Sequence, residues 1–382
     1  MFASLPRMNR AFALALLLLA GCAAASRPLE LADVRTETPV GAIVLFDKNG
    51  LPIEDPTLTG PANTAVKDEL NVLALSGGGS DGAFGAGVLT GWSQSGQRPR
   101  FDVVTGVSTG ALMATLAFLG PDYDPVMEDV YTTVKNKDIY HEKGYTSFLS
   151  DSLLDSTPLK KKIEGVVTDE LLDKVALEYR NGRRLYVATT NLDSGQLVVW
   201  DMGAIAASGL PNRAEYYQSV LRASAAVPGY FKPVYIRPSQ ASEARQMHVD
   251  GGVKAPLLLR SFMLKQPAKT KHVYLVVNGH MKLVDADNAV KPEVLDISRK
   301  SIEELLDGLL SRTVYQSYVT AKRANADFRL IYMPDNAPEP ENALAFDPEV
   351  MRRQFELGNE FGRSGTGWIT EPPRIDDYER IN

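Results

Sequence analysis

Ser108 stands at the centre of Gly106-Val107-Ser108-Thr109-Gly110, a G-x-S-x-G spacing. Such a spacing puts a serine on a tight strand-to-helix turn. The glycine on each side lets neighbouring backbone pass closely, so the hydroxyl stands clear above a sheet. Its chemistry is nucleophilic attack on a carbonyl, which needs a base for the serine proton and donors for the oxygen that becomes negative. The chain has four histidines that could be the base: His141, His248, His272 and His280. His141 lies in a charged stretch and reads as a surface residue. The order Ser108, Asp250, then His272 or His280 fits a serine–aspartate–histidine triad. Asp250 also begins Asp250-Gly251-Gly252, where two glycines would let a carboxylate approach a serine turn directly.

A second chemical feature lies upstream. Gly77-Gly78-Gly79 and Gly82 expose backbone amides just before a helical pattern, a geometry that suits either a phosphate or a developing oxyanion. No Gly-Lys-Ser/Thr follows, so a Walker loop is excluded. The spacing Gly77-x-Gly79-x-x-Gly82 matches a dinucleotide fingerprint, but that use leaves the serine turn unexplained. Ser224, in Ala223-Ser224-Ala225-Ala226-Val227-Pro228, lacks flanking glycines and is expected to pack near the site rather than react. Tyr230 and Phe231 are expected in the core or in an acyl pocket. The residues call for no metal or cofactor. No H-E-x-x-H occurs, Cys22 is the single cysteine, and Asp285-Ala286-Asp287-Asn288 begins like a calcium loop without its glycine.

The elements that must position these groups alternate. A buried strand over Asn71–Leu75 leads into the glycine loop and a helix over Ala83–Gln94. A strand over Phe101–Thr105 leads into the serine turn and an apolar helix over Ala111–Leu119, stopped by Gly120-Pro121. Polar helices are predicted near Pro125–Lys135 and Thr168–Tyr179, with no clear period around Ser147–Thr157. Leu185–Thr190 and Leu197–Asp201 form a hairpin about Asp193-Ser194-Gly195. A helix over Ala214–Ser224 and a strand over His272–Val277 follow. Alternating strands and helices predict an α/β fold with a mixed, mostly parallel sheet between helical layers. Beyond Gly279 the texture becomes helical. Ser301-Ile302-Glu303-Glu304 resembles a capping box, and Ile302, Leu305, Leu306, Leu309, Leu310 and Val314 make a stripe expected to pack on the core. Phe328–Met333 reads as one further strand.

At 382 residues, with a formal charge of −6 and no basic block, the chain reads as globular, and nucleic acid is not expected as a partner. Residues 1–21 read as a leader, with Arg7 and Arg10 before the apolar run Ala11–Ala20. Leu19-Ala20-Gly21-Cys22 is similar to the lipobox of bacterial lipoproteins, which implies acylation of Cys22. Ala23 at the next position implies an outer membrane, periplasm-facing location. Residues 22–70, rich in proline, read as a tether that contributes a short strand near Ala42–Phe46. Residues 71–279 read as the catalytic domain and 280–382 as a mostly helical region packed on it.

The four blocks in order, from Gly77-Gly78-Gly79-Ser80-Asp81-Gly82 through the serine turn and the Ala223–Pro233 segment to Asp250-Gly251-Gly252, resemble the patatin-like phospholipase family. The resemblance covers residues 71–279. It implies a patatin-like three-layer α/β/α sandwich and acyl transfer to water from phospholipid or lysophospholipid esters. Ser108 would be the nucleophile, Asp250 its base without histidine, and Gly77, Gly78 and Gly79 the oxyanion hole, supported by Gly82, Gly106, Gly110, Gly251 and Gly252. Two other readings stay open: a triad esterase of soluble esters, and a membrane-anchored scaffold with little activity. The chain departs from the family at Asp81, where a cation is usual. An aspartate there cannot support an oxyanion, although it could cap the helix that follows.

Overall fold

The computed structural model describes residues 39–45, 66–144, 151–237, 244–281 and 290–373. The leader, Cys22, most of the tether and Asp285–Asn288 lie outside these residues. Nine strands form one sheet: β1 (Ala42–Val44), β2 (Lys67–Leu75), β3 (Val103–Gly106), β4 (Arg184–Asn191), β5 (Gln196–Asp201), β6 (Val234–Ile236), β7 (Gln246–Asp250), β8 (Ala268–Val277) and β9 (Asp327–Tyr332). The order is β1-β5-β4-β3-β2-β8-β9. Pairing is parallel from β4 to β9 and antiparallel at β1, β5, β6 and β7, so the sheet is mixed. The main helices are α1 (Gly82–Gln94), α2 (Thr109–Leu119), α3 (Asp124–Thr132), α4 (Thr157–Val166), α5 (Asp169–Arg180), α6 (Arg213–Ser224), α7 (Val294–Arg323) and α8 (Pro348–Ser364).

Side chains alternate across the sheet, as strand geometry requires. On β2, Leu73 and Leu75 join one core layer with α1, α2 and α8, while Val72 and Ala74 join another on the opposite face. That second layer is closed by the irregular stretch from Ala255 to Leu264 and by the C-terminal half of α7. Two faces covered by helices make the α/β/α sandwich expected of the pattern.

The described residues after Gly279 are built into this body. β9 extends the sheet beside β8, with Val273 paired to Phe328. α8 lies on α1 at backbone contact, because small residues face each other on both helices. A Cβ on Gly87 or Gly91 would come within 2.0 Å of the Phe355 or Asn359 carbonyl oxygen; on Gly358 or Gly362 it would meet the Phe84 or Val88 oxygen at 2.1 Å. α7 begins at Val294 rather than at Ser301, so the predicted capping box lies inside the helix. Its hydrophobic stripe also divides: Leu310 and Val314 are buried, whereas Ile302 and Leu305 are exposed.

Three elements escaped the sequence pattern. α4 reads as charged, yet Leu159, Ile163 and Val166 recur at helical spacing, and the first two are buried. β6 and β7 are short, and β7 carries Gln246 and His248 inward. Those polar side chains are buried because each finds a partner across the sheet: Asn191 Nδ2 donates to Gln246 Oε1 at 3.1 Å, and His248 Nδ1 pairs with Thr189 Oγ1 at 2.9 Å.

Candidate active site

The sheet register brings the two ends of the site together. β3 runs parallel to β4 and stops with Gly106 opposite Val187. β7 pairs antiparallel with the continuation of the same β4 edge, with Asp250 opposite Thr189. Two strands therefore point their C-terminal ends at each other, two β4 positions apart, roughly 7 Å at strand rise. The chain leaves β3 through the serine turn and leaves β7 through Gly251-Gly252.

Ser108 has φ 55° and ψ −125°, a conformation that L-residues rarely adopt. It is held there by crowding on both sides. A Cβ on Gly106 would lie 2.3 Å from the Gly110 oxygen, and one on Gly110 would lie 2.5 Å from the oxygens of Leu75 and Ser76. The Ser108 N–H donates to Ser224 Oγ at 3.0 Å, and that hydroxyl donates to the Ala188 carbonyl of β4 at 2.7 Å. The neighbouring Ala226 oxygen accepts from Asp250 N–H at 2.9 Å. The Ala223–Val227 block thus clamps both residues from one loop, a role that its sequence did not announce.

Asp250 is 5 % exposed. Its Oδ1 accepts from the Gly252 N–H at 2.7 Å, and the Ser108 side chain lies near enough to favour the charged carboxylate. Burial pushes the carboxyl up from 3.8 to about 7, while the Gly252 N–H and the Ser108 side chain oppose that shift. Gly251 is required where it is, since a Cβ would stand 2.5 Å from the Ala188 oxygen. His272 faces Asp327 at 3.1 Å and His280 faces Glu339 at 3.0 Å. His248 is buried within the sheet and held neutral, its pKa lowered to about 3 by burial.

The glycine loop closes the other side of Ser108. A Cβ on Gly77 would lie 3.2 Å from Ser108 Cβ. The Gly77 N–H is already committed to the Pro256 oxygen at 2.9 Å, which removes it from the three amides expected to face a reacting oxygen. Among the described residues, the N–H groups of Gly78, Gly79 and Thr109 make no hydrogen bond within the protein. Thr109 follows the serine at the start of α2, so its free amide is legible from the turn itself. Gly78 and Gly79 adopt φ of 156° and 58° and are overlaid by Asn278 and Ala343, which leave no room for side chains. Ser76 and Asn278 lock the loop to β8: Asn278 N–H donates to Ser76 Oγ at 2.8 Å and Asn278 Nδ2 to Ser76 O at 2.7 Å. Gly82 is packed against Thr109 and Tyr131, which ties the loop to the helix after the serine.

Asp81 does not cap α1; its side chain makes no bond to the helix amides. It accepts instead from Gln354 Nε2 of α8 at 2.7 Å. Burial pushes its carboxyl to about 7, with the Gln354 hydrogen bond opposing and Glu339 and Asp307 adding to the rise. Ser108, Asp250, Asp81 and the three glycines all border one cavity of about 1570 Å³. One side of it is apolar, lined by Leu112 and Leu116 of α2, Leu159 and Ile163 of α4, Leu221 of α6, and Phe231. Such a lining suits a flexible hydrocarbon chain.

A search of curated protein sequences yields no match. Among solved structures, VipD from Legionella pneumophila aligns with a TM-score of 0.40 and 11 % identity over 92 % of this chain and 73 % of that one. The complex of full-length SpcU with full-length ExoU from the type III secretion system of Pseudomonas aeruginosa aligns with a TM-score of 0.31 and 14 % identity. That alignment covers 88 % of this chain and 61 % of the matched one. The family model for patatin-like phospholipase matches residues 73–263. The matched stretch takes in the glycine loop, the serine turn, the Ala223–Val227 clamp and Asp250, and the chain belongs to the patatin-like phospholipase family.

Proposed function

We propose that this protein hydrolyses fatty-acyl esters of phospholipids or lysophospholipids through an acyl-enzyme on Ser108, with Asp250 as general base. Family membership supports lipid acyl hydrolysis. The observation that carries the finer reading is the strained Ser108 beside buried Asp250, both lining one largely apolar cavity.

In the first step the Asp250 carboxylate takes the Ser108 proton as Oγ bonds to the ester carbonyl carbon. The carbonyl π pair moves to oxygen, and the N–H groups of Gly78, Gly79 and Thr109 are the donors placed to receive it. When the carbonyl re-forms, the C–O bond to the lipid alcohol breaks, and the alkoxide leaves with the proton from Asp250. Water then repeats the sequence on the acyl-serine, with Asp250 taking its proton and returning it to Ser108 as the fatty acid departs. A carboxylate of ordinary pKa, about 4, is a poor base for an alcohol at neutral pH, and the burial that raises Asp250 makes it a better one.

The same reading places the protein on the periplasmic side of an outer membrane through acylated Cys22, on the strength of the leader and the Leu19–Cys22 pattern. Mass spectrometry of the mature N-terminus tests this: acyl mass on residue 22 is expected, and a free thiol refutes it.

The test of the chemistry is labelling by a fluorophosphonate together with release of fatty acid from phospholipid. Ser108→Ala should abolish both and Asp250→Asn should reduce both by at least a hundredfold, while His272→Ala and His280→Ala retain them. Loss of labelling in a folded His280→Ala protein would replace the dyad by a triad. Absence of labelling in the parent protein would make the chain a scaffold.

A further inference from the structure

The stripe on α7 changes surroundings along its length. Leu310 and Val314 are buried in the second core layer. Towards the N-terminus, Ile297, Ile302 and Leu305 are 51 %, 36 % and 73 % exposed. At about 100° per residue, Ile302, Leu305 and Leu309 share an arc of roughly 60°, and Leu306 and Leu310 lie on the adjoining arc. Ile302, Leu305, Leu306 and Leu309 all border the cavity that holds Ser108. Leu306 is close to the base: a Cβ on Gly252 would sit 3.9 Å from Leu306 Cδ2 and 3.0 Å from Asp250 Oδ1. The helix therefore crosses the site with one edge towards Asp250 and the next edge facing out. A lone exposed leucine needs no explanation, but an apolar stripe continuing across the mouth of a lipid-ester site does.

We propose that the N-terminal half of α7 is a lid seated in the lipid surface, with Ile302 and Leu305 in the bilayer interface and Leu306 roofing the Ser108–Asp250 site. This rests on the lipid-hydrolase reading above, because a bilayer substrate bound for Ser108 must enter the cavity that this helix lines. The charge pattern defines the surface it fits. Residues 294–309 carry four acidic and two basic side chains, so the helix lacks the basic face that draws peripheral helices to anionic lipid. Its contact is apolar, and a zwitterionic bilayer suffices. Among the described residues no helix is long and apolar enough to cross a membrane, so the seating is shallow.

Leu305→Trp in the full-length chain, reconstituted into phosphatidylcholine vesicles with dibrominated acyl chains, tests the contact directly. Of the three native tryptophans Trp92 and Trp200 are buried and Trp368 is half-buried, so the parent protein's quenching is subtracted. The emission added at position 305 should fall by at least half relative to unbrominated vesicles. Leu177→Trp, at an exposed site on α5, should be unaffected. Equal quenching at both positions, or none at 305, overturns the proposal. So does a dimeric mass with position 305 shielded in the absence of lipid, which would assign the face to a second copy. None of these readouts needs turnover, so failed fluorophosphonate labelling would count against the catalytic reading and leave the lid standing. In an active enzyme, Leu305→Glu should slow hydrolysis of vesicle phosphatidylcholine about tenfold, and an unchanged rate overturns the lid.

Discussion

Replacing Asp250 by asparagine should stabilise the folded protein at neutral pH while removing its activity, and the size of the gain follows from the burial of the carboxyl. Asparagine is nearly the same shape, and its Oδ1 can still accept from the Gly252 N–H that now sits at 2.7 Å. What changes is the charge. The folded carboxyl titrates near 7 against an ordinary 3.8, so between these values the folded state holds a proton that the unfolded chain has released. Stability contributed by this site therefore falls as pH rises through that window and is constant above it. Roughly three pKa units at 1.36 kcal/mol each set a ceiling of about 4 kcal/mol. A gain of about 2 kcal/mol or more at pH 8 is expected, since the neutral amide accepts a weaker hydrogen bond than the carboxylate. Urea unfolding of both proteins at pH 5, 6, 7 and 8 measures it, and the other carboxyls, Asp81 included, cancel in the difference. The difference should grow with pH. A flat difference, or an Asp250→Asn protein less stable than the parent at pH 8, would refute the claim that burial sets the basicity of this group.

Four further outcomes are expected. Ser224→Ala leaves the Ser108 N–H without its acceptor and frees the turn, so steady-state kinetics should show kcat down about tenfold with KM little changed, and unfolding should register a loss of about 1–2 kcal/mol. Gly358→Ala drives a Cβ against the Phe84 carbonyl and should cost about 3 kcal/mol or more by thermal unfolding. Gly165→Ala, on α4 with open space around it, should be neutral or stabilise by about 0.5–1 kcal/mol. The fluorophosphonate labelling rate should rise with pH on a single limb near 7, where Asp250 becomes a carboxylate; a limb near 4 would mean that Asp250 reacts while exposed to water.

Much of the site was legible because it is local. The serine turn needs glycines within two residues of Ser108, and the amides after Leu75 need residues without side chains, so both requirements are written in adjacent positions. α2 and the hairpin of β4 and β5 were legible for the same reason, as composition and turn chemistry act over a few residues. β7 was not legible, because a strand that buries glutamine and histidine looks polar until its partners on β4 are known. α8 and the loop around Ala343 were read as a covering layer. They reach the site instead, through Ala343 over Gly79 and Gln354 on Asp81.

The chemical identities were already written in the residue types: a serine that must stand on a strained turn, an aspartate followed by two glycines, and amides unobstructed by side chains. Each is a short-range steric demand that few residue types can meet. Tertiary structure decided which of those groups meet and how they behave. The meeting of β3 and β7 along β4 brings Asp250 beside Ser108, while His272 faces Asp327 and His280, which borders the same cavity, faces Glu339. Pairing of the Gly77 amide with Pro256 takes one donor out of the loop. The basicity of Asp250 depends on water being excluded by segments more than a hundred residues apart in the chain. Desolvation sums over everything packed around a group, and no local spacing encodes that sum.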